Sequence, residues 1–278
     1  MKILFCILLF FQSKNITVVD FETNKPIPFA SFIGLNDRKG GYTDENGVIV
    51  LSENTNQRYV ISCVGFASDT VNFEEKTIKL KPLANVLSTV VIAAKKIDLQ
   101  NMELGYFKKY SWFSFGAQAK YEFYTFISNP DTSINWQIKS IKIAVSGHRK
   151  KKFDFFKIRP LLKDVLERRP NNDLLIDNVT VNVPKGQNSV IIELPTPIFL
   201  PKEGCFVGFE TIGFSINSSE FIPFSDFAKM PNGENVAISI PLVKTNSRSL
   251  WRIKNGKGWY GSPSDTHNAF AFGLDVLY

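Results

Sequence analysis

Apolar residues in this chain recur at every second position, in short runs that close on Gly, Pro or Asn. Thr77-Ile78-Lys79-Leu80 and the series Ile141, Ile143, Val145 show the pattern. A period of two sends successive side chains to opposite faces of a strand, whereas an amphipathic helix needs apolar residues three and four apart. Residue choice agrees: 25 Phe stand against 3 Met, and Val, Ile and Thr fill the runs, all types that suit a pleated, half-buried surface apart from Met. The expectation is an all-β chain. Hydrophobic residues at 44% and charged residues at 21% exclude disorder and collagen-like repeats. A length of 278 residues exceeds the usual single domain and predicts two cores, with one large β-sandwich as the alternative.

Met1-Lys2, the apolar run Ile3 to Phe11 and Gln12-Ser13 have the layout of a secretory signal peptide, which predicts export and removal of residues 1–13. Phe11 is bulky for a position three before that cut, and an N-terminal strand is the alternative reading. The apolar run is far shorter than the roughly 20 residues that span a bilayer, so no transmembrane segment is expected after signal cleavage. The residues before Cys6 lack the small side chain of a lipoprotein signal, so no lipid anchor is expected. Cys63 and Cys205 then remain, each in an apolar run of a different predicted domain, and are expected to be buried free thiols. Without a Cys-x-x-Cys pair, a zinc ribbon and a thioredoxin-type site are excluded.

Ile16 to Asp20, a polar Asn24-Lys25-Pro26 turn and Ile27 to Ile33 read as two strands joined by a short loop. Gly40 to Leu51 reads as a tight hairpin in which Asn46-Gly47 supplies positive φ. Tyr59 to Phe66, with a bend at Gly65, and Thr77 to Leu80 complete a helix-free unit. Val18-Val19-Asp20, Pro26-Ile27-Pro28-Phe29-Ala30, Thr43-Asp44-Glu45-Asn46-Gly47, Val64-Gly65-Phe66 and Leu87-Ser88-Thr89-Val90-Val91-Ile92 resemble the motifs of the carboxypeptidase-regulatory-like, transthyretin-like domain. That domain is common at the N-terminus of exported Bacteroidetes proteins. The resemblance implies a transthyretin-like (prealbumin-like) β-sandwich over residues 14–94 without catalytic residues of its own. In relatives it precedes outer-membrane transporters and peptidases. The roughly 180 residues that follow here are too few for a plugged barrel of about 22 strands, which excludes a transporter.

Residues 95–110 read as a polar linker with room for a short helix, and 111–278 as a second domain. Its strand candidates are Ala117 to Ile127, Gln137 to Val145, Phe153 to Ile158, Asn178 to Val183, Ser189 to Leu194, Gly204 to Phe209, Ala237 to Pro241 and Ala269 to Leu277. In the second of these the alternation slips, which predicts a bulge. Leu200-Pro201-Lys202-Glu203-Gly204-Cys205-Phe206-Val207-Gly208-Phe209-Glu210 resembles a jelly-roll-type region found behind the same N-terminal domain in other exported proteins, and Trp251 to Trp259 fits a late hairpin. The resemblance implies a larger jelly-roll-like β-sandwich acting as a binding or structural module.

Catalytic, metal-ligating and cofactor-binding residues are all expected to be absent. His148 and His267 have no metal-ligand spacing. Ser264-Asp265-Thr266-His267 reads as a polar loop, because a triad is assembled by geometry from separate elements. Asp44 to Gly47 lacks the pattern of a calcium loop, and no phosphate-cradling glycine motif occurs. Glu193, Glu203 and Glu210 are scattered carboxylates, and Glu210 reads as a strand-end residue tied to a neighbouring cation. Charge is more informative: Arg149 to Arg169 holds nine Lys and Arg against Asp154, Asp164 and Glu167, within a chain of net charge +7. Such a segment attracts anionic partners, here lipopolysaccharide, an acidic glycan or an acidic envelope protein, unless it is only a solvated strand edge. Nucleic acid is not expected of an exported chain without a recognition motif.

The candidate ligand-binding residues are Arg149, Lys150, Lys151 and Lys152, with Trp251, Trp259 and Tyr260 as flat faces for sugar rings. The sequence therefore predicts a non-enzymatic, exported cell-envelope binding protein, periplasmic, outer-membrane-associated or at the cell surface. Its rivals are a polysaccharide-active enzyme working through paired carboxylates and a structural envelope component with an exposed apolar patch.

Overall fold

A computed structural model of the chain describes residues 13–52, 57–72, 74–83, 100–109, 111, 114–118, 121–145, 153–216, 220–225, 237–245, 247–254, 258–261 and 268–278. The protein is all-β: among the described residues there are strands, numbered below in chain order, and no helix. No helix there is long and apolar enough to cross a membrane. Residues 1–12 of the expected signal peptide and the Leu87 to Ile92 run lie outside the described residues.

Residues 13–80 form two sheets. One has the order β4 (Val48–Ser52), β1 (Ser13–Asp20), β7 (Thr77–Leu80), and the other β3 (Gly40–Tyr42), β2 (Ser31–Gly34), β5 (Tyr59–Ser62), β6 (Asp69–Val71). Alternation sets the buried face, as in β7, where Ile78 and Leu80 are buried and Thr77 and Lys79 exposed. Ile16, Val18, Phe32, Leu51 and Ile61 fill the core between the sheets.

Two expectations change here. The Asp44 to Gly47 turn is tight, with Asp44 Oδ1 accepting from the Asn46 and Val48 amides and Gly47 at φ 71°, yet it is not a hairpin. The strands it joins part into different sheets, β3 pairing with β2 and β4 with β1. Nor does Ile27 begin a strand: Phe29 sits at φ 58°, and β2 starts at Ser31. A left-handed Phe costs about 1–2 kcal/mol, which its surroundings must offset.

The remainder is built on a large sheet with the path β13 (Arg169–Asp173), β12 (Phe155–Leu166), β16 (Cys205–Ile216), β10 (Tyr121–Ile127), β19 (Ser249–Ile253). Two strands join it off this path: β14 (Val181–Pro184) pairs with β12, and β17 (Glu220–Pro223) with β16. A second sheet has the order β15 (Ser189–Phe199), β11 (Gln137–Ala144), β21 (Phe272–Leu277), β8 (Asn101–Gly105), and a third the order β20 (Asn268–Phe270), β18 (Ala237–Lys244), β9 (Ser114–Gln118). The expected linker thus contains a strand, β8, paired along its length with β21. The predicted bulge is present in β11, between Ile138 and Ser140. The core is aromatic: Phe123 packs on Phe209 and Phe270 at centroid distances of 5.9 and 5.8 Å, and Phe209 on Phe272 at 5.7 Å. This is where much of the unusual Phe content goes.

The two parts share a core. Phe29, Tyr42 and Val64 from the first part belong to the hydrophobic cluster of the second. The Tyr42 amide donates to the Phe224 carbonyl at 3.1 Å, and Phe29 meets Phe221 edge-on at 5.4 Å. Gly65, at φ 85°, touches the second part so closely that a Cβ would lie 2.2 Å from the Ile176 carbonyl oxygen. Gly186 has a similar φ of 88° with nothing within 4 Å. Gly186→Ala should therefore cost only the backbone penalty, about 1–2 kcal/mol, whereas Gly65→Ala should cost roughly 3 kcal/mol or more because it also clashes. Urea denaturation of both variants checks this, and equal costs would contradict so close a seam.

Candidate functional site

β10 and β16 present two different faces. Phe123, Thr125 and Ile127 pair with Phe209, Val207 and Cys205 on the core side, while Glu122, Tyr124 and Phe126 pair with Glu210, Gly208 and Phe206 on the other. The register extends that outer face to both neighbours, Arg252 of β19 standing opposite Glu122 and Arg159 of β12 opposite Glu210. A row of charges, Arg252, Glu122, Glu210 and Arg159, therefore crosses four strands. Two carboxylates side by side repel. Lys254, just past β19, resolves this by placing its Nζ 2.7 Å from Glu210 Oε1 and 3.8 Å from Glu122 Oε1.

Every polar atom of Glu210 and Arg159 is used. Glu210 Oε1 accepts from Arg159 Nη1 at 2.5 Å as well as from Lys254, and its Oε2 accepts from Tyr42 Oη at 2.9 Å. Arg159 donates through Nε to Asn178 at 2.9 Å and through Nη2 to the Phe29 carbonyl at 2.6 Å. Asn178 Nδ2 in turn donates to the Pro28 carbonyl at 2.9 Å. The left-handed turn at Phe29 is what delivers its carbonyl to the guanidinium, and Tyr42 and Phe29 both come from the first part of the chain. The charge row thus binds the two parts to each other.

Glu210 is completely buried and Arg159 is 1% exposed. Burial pushes the Glu210 carboxyl up, but Lys254 and Arg159 together outweigh it and hold it at about 2, against 4.5 ordinarily. Burial, then Glu210, pushes the Tyr42 phenol well up, so it remains a donor.

Beside this row a cleft of about 460 Å³ opens between the two parts. Ser62 to Val64, Phe66 to Ser68 and Leu83 wall it from the first part. Glu122, Leu161, Lys163, Asn171 to Asp173, Arg252 and Lys254 wall it from the second. Lys163 Nζ is 2.8 Å from Asp173 Oδ1, close enough for an ion pair, although that oxygen has no aligned hydrogen bond. Cys63 lines the cleft as a buried free thiol whose acidity burial weakens, and burial does the same to Cys205. A hollow of about 620 Å³ beside β6 and β7 is larger, but it is walled by exposed chains such as Phe21, Glu74 and Lys79.

Arg149, Lys150, Lys151 and Lys152 lie outside the described residues. The rest of the basic segment is not a uniformly solvated patch. Arg159 and Lys163 point inward to Glu210 and Asp173, Lys157 pairs with Glu45 of the first part at 3.3 Å, and Arg168 and Arg169 are exposed. Trp251 and Trp259 do not form one platform. Trp251 packs among Phe115 and Phe270, with exposed Tyr260 stacked on it at 6.4 Å, whereas Trp259 faces Tyr124 and carries Arg252 over its ring at 4.3 Å. Glu210 lies within β16 rather than at a strand end and is tied to two cations, while Glu193 and Glu203 are exposed on β15 and in the turn before β16. A carboxyl ionised down to about 2 donates no proton at neutral pH, so Glu210 is not a general acid.

Comparisons with protein-family models, curated proteins and solved structures find no match. Sequence reasoning missed Tyr42, Glu122, Arg159, Arg252 and Lys254. The signal for three of them, Glu122, Arg159 and Arg252, was present: charges inside largely apolar strands, as in Tyr-Glu-Phe-Tyr at 121–124 and Leu-Trp-Arg-Ile at 250–253.

Since the folded carboxyl ionises below its ordinary 4.5, the stabilisation by Glu210 is complete above about pH 4.5 and fades as pH falls toward 2. Glu210→Gln should flatten that acid limb of the stability curve. At pH 7 it should cost about 3–5 kcal/mol by stranding two buried cations. Tyr42→Phe, a milder change, should cost about 1–2 kcal/mol. Urea midpoints from pH 2 to 7 measure both, and an unchanged acid limb in Glu210→Gln would refute the assignment.

Proposed function

We propose that this chain is a non-enzymatic, exported binding protein of the cell envelope whose recognition surface is the cleft between a transthyretin-like N-terminal sandwich and a larger jelly-roll-like sandwich. The observation that carries this reading is the cleft itself: both parts of the chain wall it, and its Glu122, Arg252 and Lys254 are held in ion pairs, Lys254 on the same Glu210 that Tyr42 of the first part reaches. Its volume falls within the range of small-molecule sites, and its polar groups sit on or beside strands, which hold them more rigidly than loops do. The seven strands and two sheets of residues 13–80 support the transthyretin-like part, together with the motifs around Asp20, Ala30 and Gly47. The ion-paired, cation-held state of Glu210 supports recognition over acid–base turnover.

In this reading the first part is a wall of the site, and the ligand is an anionic glycan, lipopolysaccharide or an envelope protein. Ala67→Trp and Ser68→Trp, both at the cleft wall and outside the strands, test it. Each should abolish binding on a glycan array and to lipopolysaccharide while shifting Tm little. Binding that survives both, and disappears instead when Lys150, Lys151 and Lys152 are neutralised, would place recognition in the basic segment.

A further inference from the structure

The cleft holds more hydrogen-bonding capacity than the protein uses. Arg252 is fixed on two sides: its Nε donates to Glu122 Oε2 at 2.6 Å, and its guanidinium lies over the Trp259 ring. Among the described residues Nη1 and Nη2 have no hydrogen-bond partner, and the side chain, 21% exposed, lines the cleft. Asp173 Oδ1 has no aligned donor, and Tyr124 Oη is buried without a partner. Register places Tyr124 in the same cross-strand row as the cleft residue Leu161, with only the side-chain-free Gly208 between them.

Charge points the same way. Arg159, Lys163, Arg252 and Lys254 face Glu122, Glu210 and Asp173, so this largely buried cluster carries one positive charge more than its carboxylates balance. A cation removed from water without an opposite charge is costly, and a bound anion relieves it.

We propose that the cleft binds a carboxylate-bearing saccharide, with the free fork of Arg252 taking the carboxylate. The proposal rests on the cleft being the recognition surface. A planar guanidinium with two parallel N–H donors matches a carboxylate in a way that an ammonium does not. Orientation by Glu122 and Trp259 leaves the fork little freedom to lose on binding. The rest of the wall suits the hydroxyls of a sugar: Ser68, Asn171 and Asp173 offer donors and acceptors, and Phe66 supplies a flat face for a ring.

The test is a titration of the full chain with uronic-acid oligosaccharides, the same oligosaccharides with their carboxylates reduced to alcohols, and a peptide whose only acid is its C-terminal carboxylate. The acidic saccharide should bind at least tenfold more tightly than either of the others. Arg252→Lys, which keeps the charge and loses the fork, should weaken the acidic saccharide roughly tenfold or more and the reduced one far less, so that the ratio between them narrows. Trp259→Leu should narrow the same acidic-to-reduced ratio, giving a second readout should Arg252→Lys fold poorly. Equal affinity for acidic and reduced saccharides that is abolished by Ala67→Trp would overturn the carboxylate assignment and leave the cleft as the site. Preference for the peptide would overturn the saccharide assignment. Binding indifferent to Arg252→Lys, Trp259→Leu and Ala67→Trp alike would overturn both readings.

Discussion

A single carboxylate, Glu210, stands in the middle of β16, a strand buried at every position but its last, and the arrangement of the groups around it follows from the need to satisfy it. Bringing a charge out of water costs several kcal/mol unless charged partners and hydrogen bonds replace the lost hydration. Arg159, Lys254 and Tyr42 do so from three different segments, the last from the opposite part of the chain. Arg159 then needs acceptors for its remaining donors and takes the Phe29 carbonyl, which holds Phe29 in its left-handed turn. Apolar residues of the same shape would give comparable stability. What the charges add is direction, because few relative positions of the two parts satisfy all of these bonds at once.

That direction bears on the proposed recognition. Glu122 and Arg252 of the row line the cleft, together with Lys254, so that wall is organised by interactions already present in the fold. Its polar groups are held by strand register and by one another. Under the proposed reading, a ligand that completes them loses little to ordering and gains the hydrogen bonds left open at Arg252.

Much of the fold is written in local pattern. Period-two alternation marks strands such as β7, β11 and the start of β15, and its slip near Ile138 marks the β11 bulge, whereas β6, β8, β13 and β17 carry no such signal and the ends of β12 and β16 run on past it. Turn chemistry at Asp44 to Gly47 is equally clear, but a turn constrains only its own four residues. Whether the flanking strands pair or part depends on partners such as Ser13–Asp20 and Ser31–Gly34, far away in sequence. Pro28-Phe29 misled because strand-like composition says nothing of a carbonyl drawn aside by a distant guanidinium. The site was less legible still. At period two, Glu122, Arg159, Glu210 and Arg252 look like solvent-facing residues of ordinary strands, since alternation cannot tell a face that meets water from one that meets another layer. Only register across strands far apart in sequence brings them into one row. The aromatic reading divided for a similar reason, neighbouring strand positions sending Trp251 and Arg252 to opposite faces.

The central claim is that the charge row makes the two parts one cooperative body. All four tryptophans lie beyond residue 111, so fluorescence reports only the second part. Native-state hydrogen exchange across a urea series reports both. If the claim holds, the slowest amides of β2 and β5 open with the same free energy and the same urea dependence as those of β12 and β16. Opening of β2 and β5 at a lower free energy, with a smaller urea dependence while β12 and β16 stay closed, would show two independent parts and contradict it.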